Sequence, residues 1–396
     1  MTRSADRGAV GPLGPALGDP LAAAPGLSAA SGFAAQPGFP AQPALAPAAV
    51  ASNGIDPLAE GRGEIEAELD NEIYAAIDLG TNNCRLLIAR ARGRGFRVID
   101  AFSRIVRLGE GLGANGALSP EAMDRTIEAL KICVDKMNRR GVTRARSVAT
   151  EACRRAANGV AFLNRVEAEV GLRLEIITPQ QEAELAFRGC APLLGRDPRR
   201  AILFDIGGGS TEVGWVAIRP GRGIELLAYR SLPLGVVNLA ERHGARAYCE
   251  KSYGAMVEEV ASSLEPLEAQ CHIGAEVHRG RVQMLGSSGT VTTLAGIEMQ
   301  LQRYDRSRVD GAWLDFGAIG SISRRLAAMD CAERAQQPCI GRERADLVVA
   351  GCAILEGICR LWPVGRLRVA DRGLREGILF GLMQPSSSIS PPRFKN

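Results

Sequence analysis

One short phrase occurs twice in this chain, and the repetition constrains the fold more than any other feature. Ile77-Asp78-Leu79-Gly80-Thr81-Asn82-Asn83 is echoed by Phe204-Asp205-Ile206-Gly207-Gly208-Gly209-Ser210-Thr211. Each copy is an apolar run that ends in Asp-apolar-Gly, then small polar residues, then a second apolar run. That order reads as strand, tight turn, strand, with the aspartate where the first strand ends. Glycines at the turn let backbone approach a ligand closely. Exposed N–H groups there form a concavity for an anion, and the carboxylate can hold a cation. Two copies predict two related domains that face each other across a phosphate.

The chain is long enough for two such domains and a sizeable core. Residues 1–53 do not belong to that core: Ala, Pro, Gly and Ser dominate them, without a periodic apolar face. Such a segment buries too little surface to offset its ordering entropy and is expected to be disordered. It lacks the basic and apolar blocks of a secretory signal and the arginine content of a transit peptide. No run of apolar residues is long enough for a transmembrane helix. Residues 1–70 carry three arginines against eight acidic groups, a net charge of −5, so with +4 overall the remainder carries +9. That surplus suits an anionic partner and also lies within ordinary variation. Ten cysteines and three histidines are scattered without a Cys-x-x-Cys pair, so neither a zinc site nor a disulfide framework is indicated. Reduced thiols in a cytoplasmic compartment are the expectation.

Strands are predicted near 73–79, 84–91 and 96–102, the last two joined at Arg92-Gly93-Arg94-Gly95. Ser119-Pro120 supplies a helix cap and first position; Met123, Ile127, Leu130, Val134 and Met137 follow at helical spacing, and Gly141 ends the helix. A strand near 145–150 and a helix from Gln181 to Leu194, with Glu182 in its first turn, complete the first half. The second half repeats the theme, with strands at 201–206, 212–218, 224–230 and 282–286 and helices at 236–243 and 253–270. Gly286-Ser287-Ser288-Gly289-Thr290 reads as a strand-to-helix turn. A helix at 345–361, a strand at 366–369 and a short helix led by Gly373-Leu374-Arg375-Glu376-Gly377 follow. Hairpins alternating with helices give an α/β architecture with a duplicated core.

These motifs, in this order, resemble the exopolyphosphatase / guanosine pentaphosphate phosphohydrolase (Ppx/GppA phosphatase) family. The residues that carry the resemblance are Asp78 to Asn83, Asp205 to Glu212 and Gly286 to Thr290. Ala149-Thr150 followed by Arg154, Glu182 to Phe187, and Arg372 to Gly377 add to it. It spans about residues 73 to 384. The resemblance implies two actin-like domains (ribonuclease H-like, ASKHA superfamily) around an interdomain cleft. Residues 1–70 are then a disordered extension, 71–180 the first domain, rejoined by the C-terminal helix 372–384, 181–371 the second domain, and 385–396 a loose tail.

By the same resemblance Glu182 is the base that activates water, although a first-turn glutamate also complements a helix dipole. Asp205 and Asp78 match the positions associated with catalytic magnesium; an aspartate at a strand end can equally cap a turn. Gly80, Thr81, Asn82, Gly207, Gly208, Gly209, Ser210 and Thr211 would offer N–H and hydroxyl groups to phosphate oxygens. Arg154 matches an arginine that reaches substrate phosphate, and its neighbour Arg155 is a departure from the family pattern. Gly286, Ser287, Ser288, Gly289 and Thr290 lie where related folds approach a nucleoside or second phosphate.

No Gly-x-x-x-x-Gly-Lys-Ser/Thr motif and no Gly-x-Ser-x-Gly elbow with a histidine partner occur, so water rather than a covalent nucleophile is the expected attacker. The implied activity is magnesium-dependent release of terminal phosphate from inorganic polyphosphate, or of the 5′-γ-phosphate of guanosine pentaphosphate in the stringent response. The implied form is the short two-domain one, compatible with a homodimer, with no membrane or specific nucleic-acid partner. Two readings stand beside it: a non-catalytic sensor of those ligands, and an ATP-dependent phosphotransferase of the same fold.

Overall fold

Apolar residues occupy nearly every position of the first strand, and both of its faces find cover. The structure, a computed structural model, describes residues 72–93, 95–219, 223–244 and 250–384. The expectations for 1–70 and 385–396 lie outside these residues. Ala75, Ile77 and Leu79 of β1 (Ile73–Leu79) join one apolar cluster, and Tyr74 and Ala76 join another. A strand buried on both faces needs a helix layer on each side.

The first sheet adds β2 (Asn83–Arg92), β3 (Gly95–Ile105), β4 (Arg144–Ala149) and β5 (Glu175–Ile176), in the order β3-β2-β1-β4-β5. The second contains β6 (Arg200–Ile206), β7 (Thr211–Arg219), β8 (Gly223–Leu232), β9 (Val282–Ser287), β10 (Trp313–Asp315) and β11 (Arg366–Ala370). Its order is β10-β11-β9-β6-β7-β8. In each sheet the first three strands form an antiparallel meander, and the later strands pair parallel to the first. The second sheet is therefore a copy of the first with one antiparallel strand, β10, added at its edge. This is the ribonuclease H-like α/β arrangement expected from the repeated phrase.

Local signals set several boundaries. Ser119 Oγ accepts the Ala122 N–H, Pro120 takes the first helical position, and Gly141 turns with a φ of 64° after helix Pro120–Arg139. Helix Pro179–Cys190 starts two residues before the predicted point, because Thr178 and Gln181 form a reciprocal capping box. Glu182 still lies in its first turn.

Helix Pro179–Cys190 covers the second sheet through Ala183, Ala186 and Phe187, whereas helix Leu374–Met383 covers the first through Leu374, Ile378 and Leu379. The two helices pack against each other at glycines. A Cβ on Gly189 would fall on the Gly373 carbonyl, and one on Gly377 on the Leu185 carbonyl. Gly377→Ala should therefore cost about 3 kcal/mol by overpacking. Denaturant unfolding measures this, and a variant as stable as the parent protein would show that the crossing tolerates the methyl group.

Candidate active site

The two repeated turns close in the same way. Gly80 N–H donates to the Asn83 carbonyl at 2.9 Å, and Gly207 N–H donates to the Ser210 carbonyl at 2.9 Å. Further carbonyls of both turns accept from neighbouring segments. Val106 and Arg107 donate to the Asn82 carbonyl and Gly109 to that of Thr81. Val236 and Val237 donate to those of Gly207 and Gly208, and Asn238 Nδ2 to that of Gly209. The N–H groups of Thr81, Asn82, Gly208 and Gly209 donate to no described residue. Two sets of free amides thus belong to facing turns, the arrangement that binds an anion.

The turns also approach one another closely. A Cβ on Gly208 would come within 3.1 Å of the Asn82 nitrogen, and one on Gly209 within 2.6 Å of Thr81 Oγ1. Side chains at 208 and 209 would fill the gap, which is the physical reason for glycine at these positions.

Asp78 and Asp205 end β1 and β6 beside the turns. Both line a cavity of about 130 Å³, together with Glu182, Glu151 and both sets of loop residues. Burial, above all, raises the Asp78 carboxyl, and it pushes Asp205 up to about 7. Glu182 is held well above the ordinary carboxylate value, first by burial and then by the charge of Glu212. Glu212 is only 2% exposed and pushed up to about 7 by burial, although it accepts hydrogen bonds from Ser210 Oγ at 2.7 Å and Ser231 Oγ at 3.0 Å.

Arg154 is the counter-charge on this side. It donates to Glu182 Oε2 at 3.2 Å, to Glu151 Oε2 at 2.6 Å and to the Ile177 carbonyl at 2.6 Å. One guanidinium therefore fixes two carboxylates that face the cavity.

A model of the Ppx/GppA phosphatase family matches residues 87–386. Exopolyphosphatase 2 of Mycobacterium tuberculosis is 32% identical over 329 residues, which cover 78% of this chain and 98% of that protein. The chain belongs to the Ppx/GppA phosphatase family. A solved Ppx/GppA family member from Aquifex aeolicus is 31% identical, with a TM-score of 0.65 over 78% of this chain and 97% of that one. An exopolyphosphatase structure from Cytophaga hutchinsonii is 27% identical, with a TM-score of 0.71 over 79% of this chain and 98% of the other.

Most of the expected site residues of this Ppx/GppA chain meet at one place: Asp78, Gly80, Thr81 and Asn82 face Asp205, Gly207, Gly208, Gly209 and Ser210, with Glu182 beside them. Ser288, Gly289 and Thr290 line the same cavity. Four expectations need correction. Thr211 points away from the cleft and donates its hydroxyl to the Leu234 carbonyl at 2.6 Å. Gly286 lies under the Phe204 ring, inside the sheet packing. Ser287 lines a neighbouring chamber, with its hydroxyl donated to the Arg372 carbonyl. Arg154 does not line the cavity; its guanidinium is occupied by the carboxylates. Arg155 is drawn to Glu151 at 3.8 Å.

Sequence reasoning did not single out Glu151, Arg85 and Arg344, which line the cavity, or Glu212, whose charge bears on Glu182. Register supplies a signal for two of them. Asp78 sits directly opposite Arg85 across β1 and β2, and Asp205 directly opposite Glu212 across β6 and β7.

The raised carboxyl groups make stability depend on pH. Asp205 and Glu212 bind protons more tightly in the folded chain than in the unfolded one. The stabilisation from their protonated forms is complete below the ordinary carboxylate value and is lost as pH rises through about 7. With a chelator present, the unfolding temperature should fall between about pH 5 and pH 8, and Glu212→Gln should flatten part of that slope. Thermal denaturation across the range tests this; a profile that rises, or a slope indifferent to Glu212→Gln, would contradict it.

Proposed function

We propose that this protein hydrolyses the terminal phosphoanhydride bond of linear inorganic polyphosphate, with Glu182 as the base. The observation that carries the reading is the facing pair of turns with free amides, set beside a buried glutamate whose proton affinity is raised. The exopolyphosphatase name of the relative from Mycobacterium tuberculosis supports polyphosphate as the substrate class.

The terminal phosphoryl group would sit between the turns, its oxygens on the amides of Thr81, Asn82, Gly208 and Gly209. Glu182 would orient a water for in-line attack and take its proton. A bond forms from the water oxygen to phosphorus as the bond to the bridging oxygen breaks. The bridging oxygen stays with the shortened chain, and orthophosphate is released. Arg154 keeps the Glu182 carboxylate in place and opposes the upward shift of its proton affinity.

The donor set also suits magnesium. Asp78 and Asp205 offer carboxylate oxygens, and Asn82 Oδ1 and Asn83 Oδ1 are buried without a partner. Magnesium takes hard oxygen ligands, one or two carboxylates beside phosphate and water. When bound, the ion would supply positive charge to the phosphate oxygens. Among the described residues no group of three His, Cys, Asp or Glu side chains could hold a metal, so substrate and water must complete the shell. The two sheets with their helix layers are taken as the two domains on either side of the cleft.

Glu182→Gln should lower kcat by about 10²- to 10⁴-fold while leaving polyphosphate affinity nearly intact. Phosphate release and equilibrium binding are measured on the same preparation, with guanosine pentaphosphate offered in parallel. Loss of binding equal to the loss of rate would remove Glu182 from the role of base. Release from the nucleotide alone would replace polyphosphate as the substrate.

A further inference from the structure

Behind Glu151 the candidate site adjoins a second cavity of about 10 Å³, with which it shares Thr81, Glu151 and Gly209. A third space, of about 590 Å³, continues from the second and shares Gly113, Arg155, Asn238 and Glu241 with it. Most residues around the third space are exposed, among them Arg155, Glu241 and Arg242. Three spaces in series thus connect the cavity at Glu182 with the protein surface. The middle one is the neck, and its volume is about that of a single water molecule. A Cβ on Gly209 would stand 2.9 Å from Glu151 Cγ and 2.6 Å from Thr81 Oγ1, so the inner end is open only because residue 209 has no side chain.

The neck is polar. Glu151 Oε2 accepts from Arg154 at 2.6 Å, but Glu151 Oε1 accepts no hydrogen bond from a described residue; Arg155 Nε stands 3.8 Å from it. A water held there needs two to four polar partners, and this free carboxylate oxygen is one. Asn238 and Glu241 are already engaged, Asn238 with the Gly209 and Pro233 carbonyls and Glu241 with the Gly111 N–H. They form fixed walls. The width of the outer end is set by Arg155, whose side chain is 41% exposed, and by Gly113, whose Cβ would stand 3.8 Å from Glu241 Oε2. Glu151 and Glu182 are bound to one guanidinium, that of Arg154, so a water that passes Glu151 enters the cavity beside the base.

Each phosphate released consumes one water. A long polyphosphate chain does not fit within about 130 Å³, so it extends out of the cavity, and a neck of one water's volume is too small for it. A seated chain therefore stops its own opening and leaves the neck clear. In-line attack also requires the nucleophile on the face opposite the departing oxygen. We propose that the passage behind Glu151 delivers the attacking water, and that Arg155 and Gly113 set its bore so that water enters and larger nucleophiles do not. This deepens the hydrolase reading and rests on it. Arg155, the departure from the family pattern, is then a positioning residue that acts through the width of the passage and not on the phosphate.

Methanol, larger than water by a methylene group, tests the bore. Attack by its oxygen forms a bond to phosphorus as the bridging bond breaks, passes the methanol proton to Glu182, and leaves methyl phosphate beside the shortened chain. The full-length protein is given polyphosphate in a fixed water–methanol mixture, and phosphorus NMR compares methyl phosphate with orthophosphate. Arg155→Ala should raise the share of methyl phosphate by about tenfold or more, and Arg155→Lys should keep it near that of the unaltered protein. Gly113→Leu, which fills the outer end, should lower kcat without weakening equilibrium binding of polyphosphate. A product ratio that Arg155→Ala leaves unchanged would overturn the proposal. So would a Gly113→Leu variant that keeps the parent kcat, or one that loses binding in equal measure. Arg155 lies at the surface, so its arm of the test stands even if Gly113→Leu does not fold. The hydrolase reading fails in a different way. An unaltered protein that binds polyphosphate and releases no phosphate would remove the reading and the passage together, whereas release with an unchanged product ratio would remove the passage alone.

Discussion

Four carboxylates compete for one water-poor space, and much of the architecture follows from that crowding. Asp78, Glu182, Asp205 and Glu212 are all shifted upward, with burial as the first cause in every case. Mutual repulsion adds to it, from Glu212 and Asp78 on Glu182, from Asp78 on Asp205, and from Asp205 on Glu212. Unpaired buried charge is costly, and a structure that keeps it must hold it rigidly. Here two strands end at the aspartates, a capped helix fixes Glu182, and two serines and Arg154 supply the hydrogen bonds. Such a cluster has a high affinity for positive charge, which is the physical case for the proposed divalent ion.

The frame that carries the cluster is a duplication held together by a crossing of helices. Helix Pro179–Cys190 lies on the second sheet and helix Leu374–Met383 on the first, and each presents a glycine to the other's backbone. Backbone-to-backbone packing brings the two sheets close enough for Asp78 and Asp205 to line one cavity. The same economy recurs at the turns, where Gly235 presses on the Gly208 carbonyl and Gly214 makes room for the Phe187 ring.

Much of this was legible in the amino-acid order, because the informative features were local. The Asp-apolar-Gly phrases, Ser119-Pro120 and the strand-to-helix turn at Gly286 to Thr290 state their conformations within a few residues. Features that depended on register or on short elements were not legible. Arg85 belongs to the site because β1 and β2 pair Asp78 with it, and Arg344 because a turn before helix Val348–Leu361 reaches the cleft. Helices Glu151–Arg155, Arg306–Val309 and Cys331–Gln336 are too short to show a periodic face. Helix Gly159–Val170 was missed although Phe162, Val166 and Val170 recur every four residues; its cap, Asn158, spends its side chain on Leu118 rather than on its own helix. Arg154 was expected to reach toward substrate; its bonds to Glu182 and Glu151 could be known only from three-dimensional proximity.

The segment after β3 does two things at once. It bonds to the Thr81 and Asn82 carbonyls behind the first turn, and it reaches across the cleft through Arg107 to Asp346 at 3.0 Å and through the Gly111 N–H to Glu241 at 2.9 Å. These bridges are partly exposed, and an exposed ion pair contributes only about 0–1 kcal/mol. The glycine crossing at the other end is buried in backbone and far harder to part. The molecule is thus built like a clothes-peg, with a stiff fulcrum and a weak catch. Because the catch hangs from the first turn, any separation of the jaws would pull on the Thr81 and Asn82 backbone, so the shape of that turn is tied to the width of the cleft.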